Sequence, residues 1–481
     1  MKKFANKIFA VMLALSLVAC VSGCRSSNPD DEYSIISEIV LVEDGGNKGN
    51  NDNNDADGNT SAAGNNSTGN QGTGNSNSSK NNNSGGSTGN STDASSLKGT
   101  TITFATWEGI TSDSYKGKLI SAFTKKTGIK VKLLDIDQNS YITKLTGYKA
   151  AGTAPDVVIS NQQFPRVLPL LQPLSNVGIN ANDSKFSQTI TKHGTVNGKQ
   201  YLVGSAVDGN YFVCFYNKNV FKQVGVPTPD ELIKAKNWTL DTFREVAVKI
   251  HQYNSEWTGA ALAPTAFPAT YGGGYIQYDP AASKFVNTTG STAFNEIWRY
   301  ILTGVKADYF YPRFDIAGVI KGTTGMTCVD TYGLMTDGYF KQMKSSEIGV
   351  TYMPKKNASD SEYPVGALIF GYGVAEGAKN PEGAAAFLNY YLDPANISSD
   401  NKFINTQAEE LYNQLIKRDI PLENILVAKG VATITIEAVD FWDNEIIACD
   451  PAQLSSVGVS KINNQVNVAV NKANEIIASK K

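Results

Sequence analysis

Between residues 45 and 96 the chain is almost wholly Asn, Gly, Ser, Thr and Asp. So few apolar side chains cannot bury enough surface to offset the entropy of ordering the backbone, so the stretch predicts a flexible, disordered linker. It restricts any folded body to the residues that follow, and it separates that body from the chain's first residues. About 50 residues of this composition reach roughly 40 Å, at about 5–6 Å per square root of residue number. The Asn-x-Ser/Thr triplets within it are by-products of composition.

The first residues read as a targeting segment. Lys2, Lys3 and Lys7 are basic, and residues 8–19 form an apolar run too short to span a bilayer comfortably. Two cleavage-like sites follow, Leu17-Val18-Ala19-Cys20 and Val21-Ser22-Gly23-Cys24. Both look like the lipobox of bacterial lipoproteins, in which the Cys is acylated and becomes the mature N-terminus. Cys24, preceded by the smaller Ser-Gly pair, is the expected lipidation site, with Cys20 as the alternative. A plain secretory signal with chance cysteines is the remaining reading. More than one acyl chain on such a Cys makes anchoring stable. The expected division is a signal peptide over 1–23, an anchored segment with its linker over 24–97, and a folded body beyond.

A chain of 481 residues allows roughly two or three domains of about 150 residues each. With 43 basic and 45 acidic side chains the net charge is −2, so no long-range field or basic block draws nucleic acid. The two histidines, His193 and His251, are distant in sequence and argue against a multi-His metal centre. Beyond the targeting segment only Cys214, Cys328 and Cys449 remain, without a CxxC pair. They are expected as buried free thiols, with one disulfide possible.

In the body, residues 101–107, 131–136 and 156–160 read as strands, separated by helices over 112–126 and 141–151. This alternation predicts a parallel, doubly wound α/β lobe, whose ligands sit outside the carboxyl ends of the strands. Those ends carry Trp107-Glu108 and Asn161-Gln162. Residues 204–227 then read as loop, strand and helix, opened by Asn217 or Asn219 and stopped at Gly225-Val226-Pro227. Thr239 is an N-cap. Residues 260–278 read as a small-residue loop carrying Tyr271 and Tyr275. Residues 325–333 read as a buried strand ending in a loop with Asp330 and Tyr332, and 348–354 as another strand. Residues 370–375 lead into a helix over 381–392, and Phe441-Trp442 open a late segment.

Several local patterns coincide in order with one family. They are Pro155-Asp156-Val157-Val158, Phe215-Tyr216-Asn217-Lys218 with Gly225-Val226-Pro227, Trp238-Thr239, Gly325-Met326, Tyr352-Met353-Pro354, and Asn380-Pro381-Glu382-Gly383-Ala384-Ala385-Ala386-Phe387-Leu388. Over about residues 100–479 the chain resembles the extracellular solute-binding proteins of ABC importers, in the carbohydrate-binding branch that includes maltose-binding protein. The resemblance implies a type II periplasmic-binding-protein-like α/β fold, with two discontinuous lobes joined by a hinge and ligand held between them. The first lobe is expected over 98–208 and 373–430, the second over 209–372 and 431–481. The crossings are expected near 208–211 and 370–374, and the lobes close by a hinge motion.

Sugars offer an apolar face to a flat aromatic and hydroxyls to carboxylates and amides. Family position and this chemistry nominate Trp107, Glu108, Asn161, Gln162, Asp208, Asn210, Tyr211, Asp330, Tyr332 and Trp442, with Tyr271 and Tyr275 in a further loop. Tyr332 stands where relatives place a stacking Trp. Each also has a structural reading: Trp107 as a cap on the core, Asp208 as a hinge residue, Asn161 and Gln162 as helix caps. Trp238, Trp257 and Trp298 are expected in the core. The implied protein is a monomeric, lipid-anchored receptor on the outer face of the membrane, in a Gram-positive bacterium. It carries an oligosaccharide to a permease and needs no cofactor. The alternatives are the same fold with a non-sugar ligand or a sensory role and, less favoured, a surface glycoside hydrolase. The last requires two carboxylates about 5–10 Å apart, for which Glu108, Asp208 and Asp330 are the candidates.

Overall fold

The computed structural model describes residues 94–161, 163–207, 209–397, 403–435 and 441–480. The signal, both candidate lipidation sites and the linker up to residue 93 lie outside the described residues, as do Gln162 and Asp208. Strands β1 (Thr101–Thr106), β2 (Lys130–Asp135) and β3 (Val157–Ser160) come first, then the small hairpin β4 (Thr195–Val196) and β5 (Lys199–Gln200). Next come β6 (Asn210–Asn217), β7 (Thr258–Leu262) and the hairpin β8 (Ile276–Asp279) and β9 (Lys284–Asn287). The last are β10 (Phe310–Tyr311), β11 (Thr324–Asp330), β12 (Ile348–Thr351), β13 (Ala367–Leu368) and β14 (Gly371–Val374).

Two main sheets result. The first has the order β14-β3-β1-β2, with β1, β2 and β3 parallel and β14 antiparallel to β3. The second has the order β10-β7-β11-β6-β12, with β13 also on β6. In it β7, β10 and β11 are parallel, and β6 runs against β11, β12 and β13. Local chemistry sets the helix ends that alternate with these strands. The helix Tyr115–Thr127 starts at Ser114, whose side chain accepts from the Gly117 N–H, and ends at Gly128 in the left-handed region. Asn217 caps Lys218–Val224, which Gly225 terminates at φ 74°. Thr239 and Thr242 form a reciprocal cap on Leu240–Tyr253.

The small-residue stretch after residue 257 is more ordered than the sequence predicts. Thr258–Leu262 is a central strand, and Ala266–Thr270 is a short helix. Its small side chains follow from close packing: a Cβ on Gly259 would lie 2.2 Å from the Ala247 carbonyl oxygen. Small residues look like a loop in sequence, but here they let a helix lie against the strand.

The lobes also divide differently from expectation. Pro381–Tyr391 packs on β1, β14 and Tyr115–Thr127, in the first lobe. Thr406–Leu415 instead packs on β12. Its Ala408, Leu411, Tyr412 and Leu415 share a cluster with Val213, Phe215 and Val350 on the second sheet. This helix therefore belongs with the second lobe, not with a first-lobe segment running to residue 430. The C-terminal helix Val459–Ala478 packs on β9 and also on the turn Leu168–Leu170 of the first lobe.

Two connectors join the sheets side by side. Val203 pairs with Tyr372 through N–H···O bonds of 3.0 and 2.7 Å. Residues 204–209 then lead into β6, while 369 and 370 lead from β13 to β14. A Cβ at Gly204 would sit 2.3 Å from Ile190 Cδ1 and 3.0 Å from the Phe370 carbonyl oxygen, so the close approach of the two connectors favours glycine. The expected crossings are thus shifted. Asn210 and Tyr211 already belong to β6, and residues 371–374 are strand β14.

Candidate functional site

Topology sets where a site can form. The connectors leave the second sheet at the start of β6, which pairs with the end of β11 (Phe212 opposite Asp330). They join the first sheet at the start of β14, which pairs with the end of β3 (Gly371 opposite Ser160). The carboxyl ends of β3 and β11 therefore flank the connectors, as ligand sites at lobe junctions require.

At the first sheet, Trp107 stands edge-on to Tyr141 with ring centroids 4.6 Å apart. The Tyr141 hydroxyl donates to the Ala105 carbonyl at 2.8 Å and accepts from the Ile159 N–H at 3.1 Å, which fixes the ring that supports Trp107. Glu108 is ion-paired with Lys116 and accepts a weak hydrogen bond from the Thr106 hydroxyl at 3.4 Å. Lys116 also lies 3.5 Å from the Tyr372 hydroxyl, tying the end of β1 to the strand that follows a connector. Asn161 is buried, and its N–H donates to Gln163 Oε1 at 3.0 Å.

At the second sheet, the Thr331 hydroxyl accepts from the Tyr211 N–H at 3.2 Å and donates to the Gly209 carbonyl at 3.0 Å. The Tyr412 hydroxyl accepts from the Gly209 N–H at 3.3 Å and donates to the Val207 carbonyl at 3.2 Å. The 204–209 connector is thus held by two second-lobe hydroxyls. Tyr211 is a core side chain of that lobe, and Asn210 is half-buried beside Thr331. Asp330 accepts from the Tyr332 N–H at 2.9 Å and the Tyr339 hydroxyl at 2.8 Å. Burial raises its carboxyl above the usual range, and both hydrogen bonds oppose the rise. The Tyr332 ring is 40% exposed and meets Tyr339 edge-on at 5.1 Å.

Three nominated aromatics lie elsewhere. Tyr271 is half-buried, donates to the Pro354 carbonyl at 2.9 Å, and lines a separate cavity of about 480 Å³ with Gln277, Ser291, Lys356 and Glu423. Tyr275 is buried against Phe294, Trp298 and Trp442, with its hydroxyl on Asp443 Oδ1 at 2.8 Å. Trp442 is only 2% exposed, and its buried Nε1–H has no partner among the described residues. Tyr275 and Trp442 are therefore packed core side chains here, not surfaces open to a ligand. Trp238 and Trp298 are fully buried, as expected, whereas Trp257 is only half-buried against the core.

Sequence reasoning missed Lys116, Thr331, Tyr339, Tyr372 and Tyr412. Lys116 follows an N-cap in an ordinary surface helix, and Tyr372 is 256 residues away from it in the chain, so no local pattern joins them. Among the described residues, no cluster of three His, Cys, Asp or Glu could hold a metal ion, and no helix is long and apolar enough to cross a membrane.

A model of the bacterial extracellular solute-binding proteins matches residues 118–399, more than half of the chain. The chain belongs to that family. This solute-binding protein is similar in structure to the GacH receptor of Streptomyces glaucescens, solved unliganded and with acarbose (15% identity, TM-score 0.57, 76% of this chain and 98% of that one). It is also similar to an ABC substrate-binding protein of Listeria monocytogenes in complex with cycloalternan (17% identity, TM-score 0.52, 79% and 99%). A third is the galacto-N-biose-/lacto-N-biose I-binding protein of a Bifidobacterium longum ABC transporter (18% identity, TM-score 0.56, 79% and 98%). At these identities the likeness is one of fold. The solute-binding protein shares their two-lobed, type II periplasmic-binding-protein architecture. Comparison with curated protein sequences finds no match.

Proposed function

We propose that this solute-binding protein captures an oligosaccharide between its lobes and delivers it to the membrane permease of an ABC importer, binding without covalent chemistry. What supports the reading is that strand ends on the connector side carry an aromatic and a carboxylate in each lobe. Trp107 and Glu108 follow β1, and Asp330 and Tyr332 end β11. An apolar sugar face stacks on flat rings while its hydroxyls take up carboxylates and amides, so this pairing suits a carbohydrate. The sugar complexes of structurally similar proteins support the same ligand class. Asn161 and Asn210 add amides. Lipid on Cys24, or on Cys20, holds the protein as a monomer at the outer face of the membrane, with the Asn/Gly/Ser-rich tract as its tether.

Two of the candidate carboxylates are held by internal partners, Glu108 by Lys116 and Asp330 by Tyr339 and the Tyr332 N–H, which supports a receptor over a hydrolase. Calorimetric titration against a panel of malto-, galacto- and cyclic oligosaccharides tests the reading. Heat with at least one glycan, which is recovered uncleaved, is expected. Heat only with a peptide, polyamine or other non-sugar solute would overturn it.

A further inference from the structure

We propose that Cys214 and Cys328 form a disulfide between β6 and β11 in the exported protein. The two residues are directly opposed in the antiparallel register of these strands. Opposed side chains in such a pair project to the same face. Both thiols lie in the one core cluster on that face, at 0% and 1% exposure, and both are free. Opposed Cα atoms in an antiparallel ladder are about 4.5–5.5 Å apart, inside the roughly 4.4–6.8 Å span that a disulfide bridges. The register therefore places the two cysteines at a spacing a disulfide can bridge. Cys449 is half-buried, not buried as expected, and has no such partner among the described residues: its Sγ–H donates to the Asp450 carbonyl at 3.4 Å, beside Gly458.

The family's extracellular setting favours oxidation of a pair held this way. In the finished core, burial and the neighbouring Cys214 thiol hold Cys328 well above the usual thiol range, so the folded Cys328 thiol is a poor nucleophile. The bond accordingly forms as the sheet assembles after export, before helix packing seals the face. The oxidant is a small-molecule or protein disulfide. The Cys214 thiolate attacks one of its sulfurs and releases the first thiol. The Cys328 thiolate then attacks the Cys214 sulfur and releases the second. Two electrons pass from the cysteine pair to the oxidant, and the two cysteine protons end on the two released thiols.

The cross-link closes a loop of more than a hundred residues, which restricts the unfolded chain strongly. It also joins the strand that opens with Asn210 and Tyr211 to the strand that ends at Asp330, so it fixes the spacing of the second lobe's share of the site.

The full chain is unfolded, reduced, and refolded with glutathione disulfide. It is then alkylated in denaturant, digested and examined by mass spectrometry. The expected product is a peptide pair joined through Cys214 and Cys328, lighter by two hydrogens than the free thiols, and unchanged in Cys449→Ala. Its melting temperature is expected several degrees above that of the reduced protein. Recovery of the two cysteines alkylated, as separate glutathione adducts or joined to another cysteine would overturn the proposal, as would a linked protein that melts no higher than the reduced one.

Discussion

Tyr332 and Trp442 carry the same sequence argument and occupy opposite environments. Each is an aromatic nominated from the sequence as a sugar-stacking ring. Tyr332 follows a strand end and leaves 40% of its surface in solvent, whereas Trp442 leaves 2% and packs on Tyr275. The difference lies in what surrounds them. Tyr332 sits on a short turn pinned by Asp330, with Tyr339 edge-on to its ring and its hydroxyl donating to the Asp337 carbonyl at 2.9 Å. Trp442 lies in the first turn of the helix Phe441–Ile447 and packs on Tyr275, which in turn meets Phe294 and Trp298, so its ring is a structural wedge in this conformation.

The sharpest way to break the contrast is Trp442→Ala. Removing a buried Trp is expected to cost about 3–5 kcal/mol, read as a shift in the denaturant unfolding midpoint. Unchanged stability with lost binding would instead mean that Trp442 swings into the cleft.

Next in size is a pH effect at another buried aromatic cluster. His193 packs against Phe164 and Tyr278, and burial lowers its pKa from 6.5 to about 4. Because the folded state disfavours the proton, this stability is present above pH 6.5 and is lost as the pH falls toward 4. The loss is about 3 kcal/mol at about 1.4 kcal/mol per unit. Unfolding curves of the wild type and His193→Gln compared between pH 7 and 4 check it. An identical pH dependence in both would remove His193 as the cause.

Gly259→Ala tests whether the small residues of β7 are there for close packing. With the Ala247 carbonyl in the way, a loss of about 1–3 kcal/mol is expected by thermal unfolding. A neutral result would show that the helix yields easily. The smallest stability effect belongs to Tyr332→Ala, expected within about 0.5 kcal/mol of wild type because the ring is exposed. The same change should weaken sugar binding about tenfold, near 1.4 kcal/mol, by calorimetry. Equal affinity in the variant would take Tyr332 out of the site.

Much of the first lobe was legible because its strands and helices alternate with clear stops at Gly128, Gly152 and Pro155. The second lobe was less legible. β7 is Thr-Gly-Ala-Ala-Leu, a pattern without the branched or aromatic residues that mark strands, and only the helix against it explains the composition. In the candidate site, Trp107, Glu108, Asp330 and Tyr332 were readable as polar and aromatic residues at strand ends. Lys116 and Tyr412 were not, because their partners are close in space and distant in the chain.

By itself the sequence determined the order of elements, the helix caps at Asn217 and Thr239, the left-handed stops at Gly128 and Gly225, and the separation of a low-complexity tract from the body. These rest on hydrogen bonds and backbone preferences that act within about four residues. The tertiary structure alone decided that Thr406–Leu415 joins the second sheet, that the connectors lie at 204–209 and 369–370, that Trp442 is buried, and that Cys214 faces Cys328. Each of these depends on burying apolar surface between segments far apart in the chain, and no short window of sequence contains both partners.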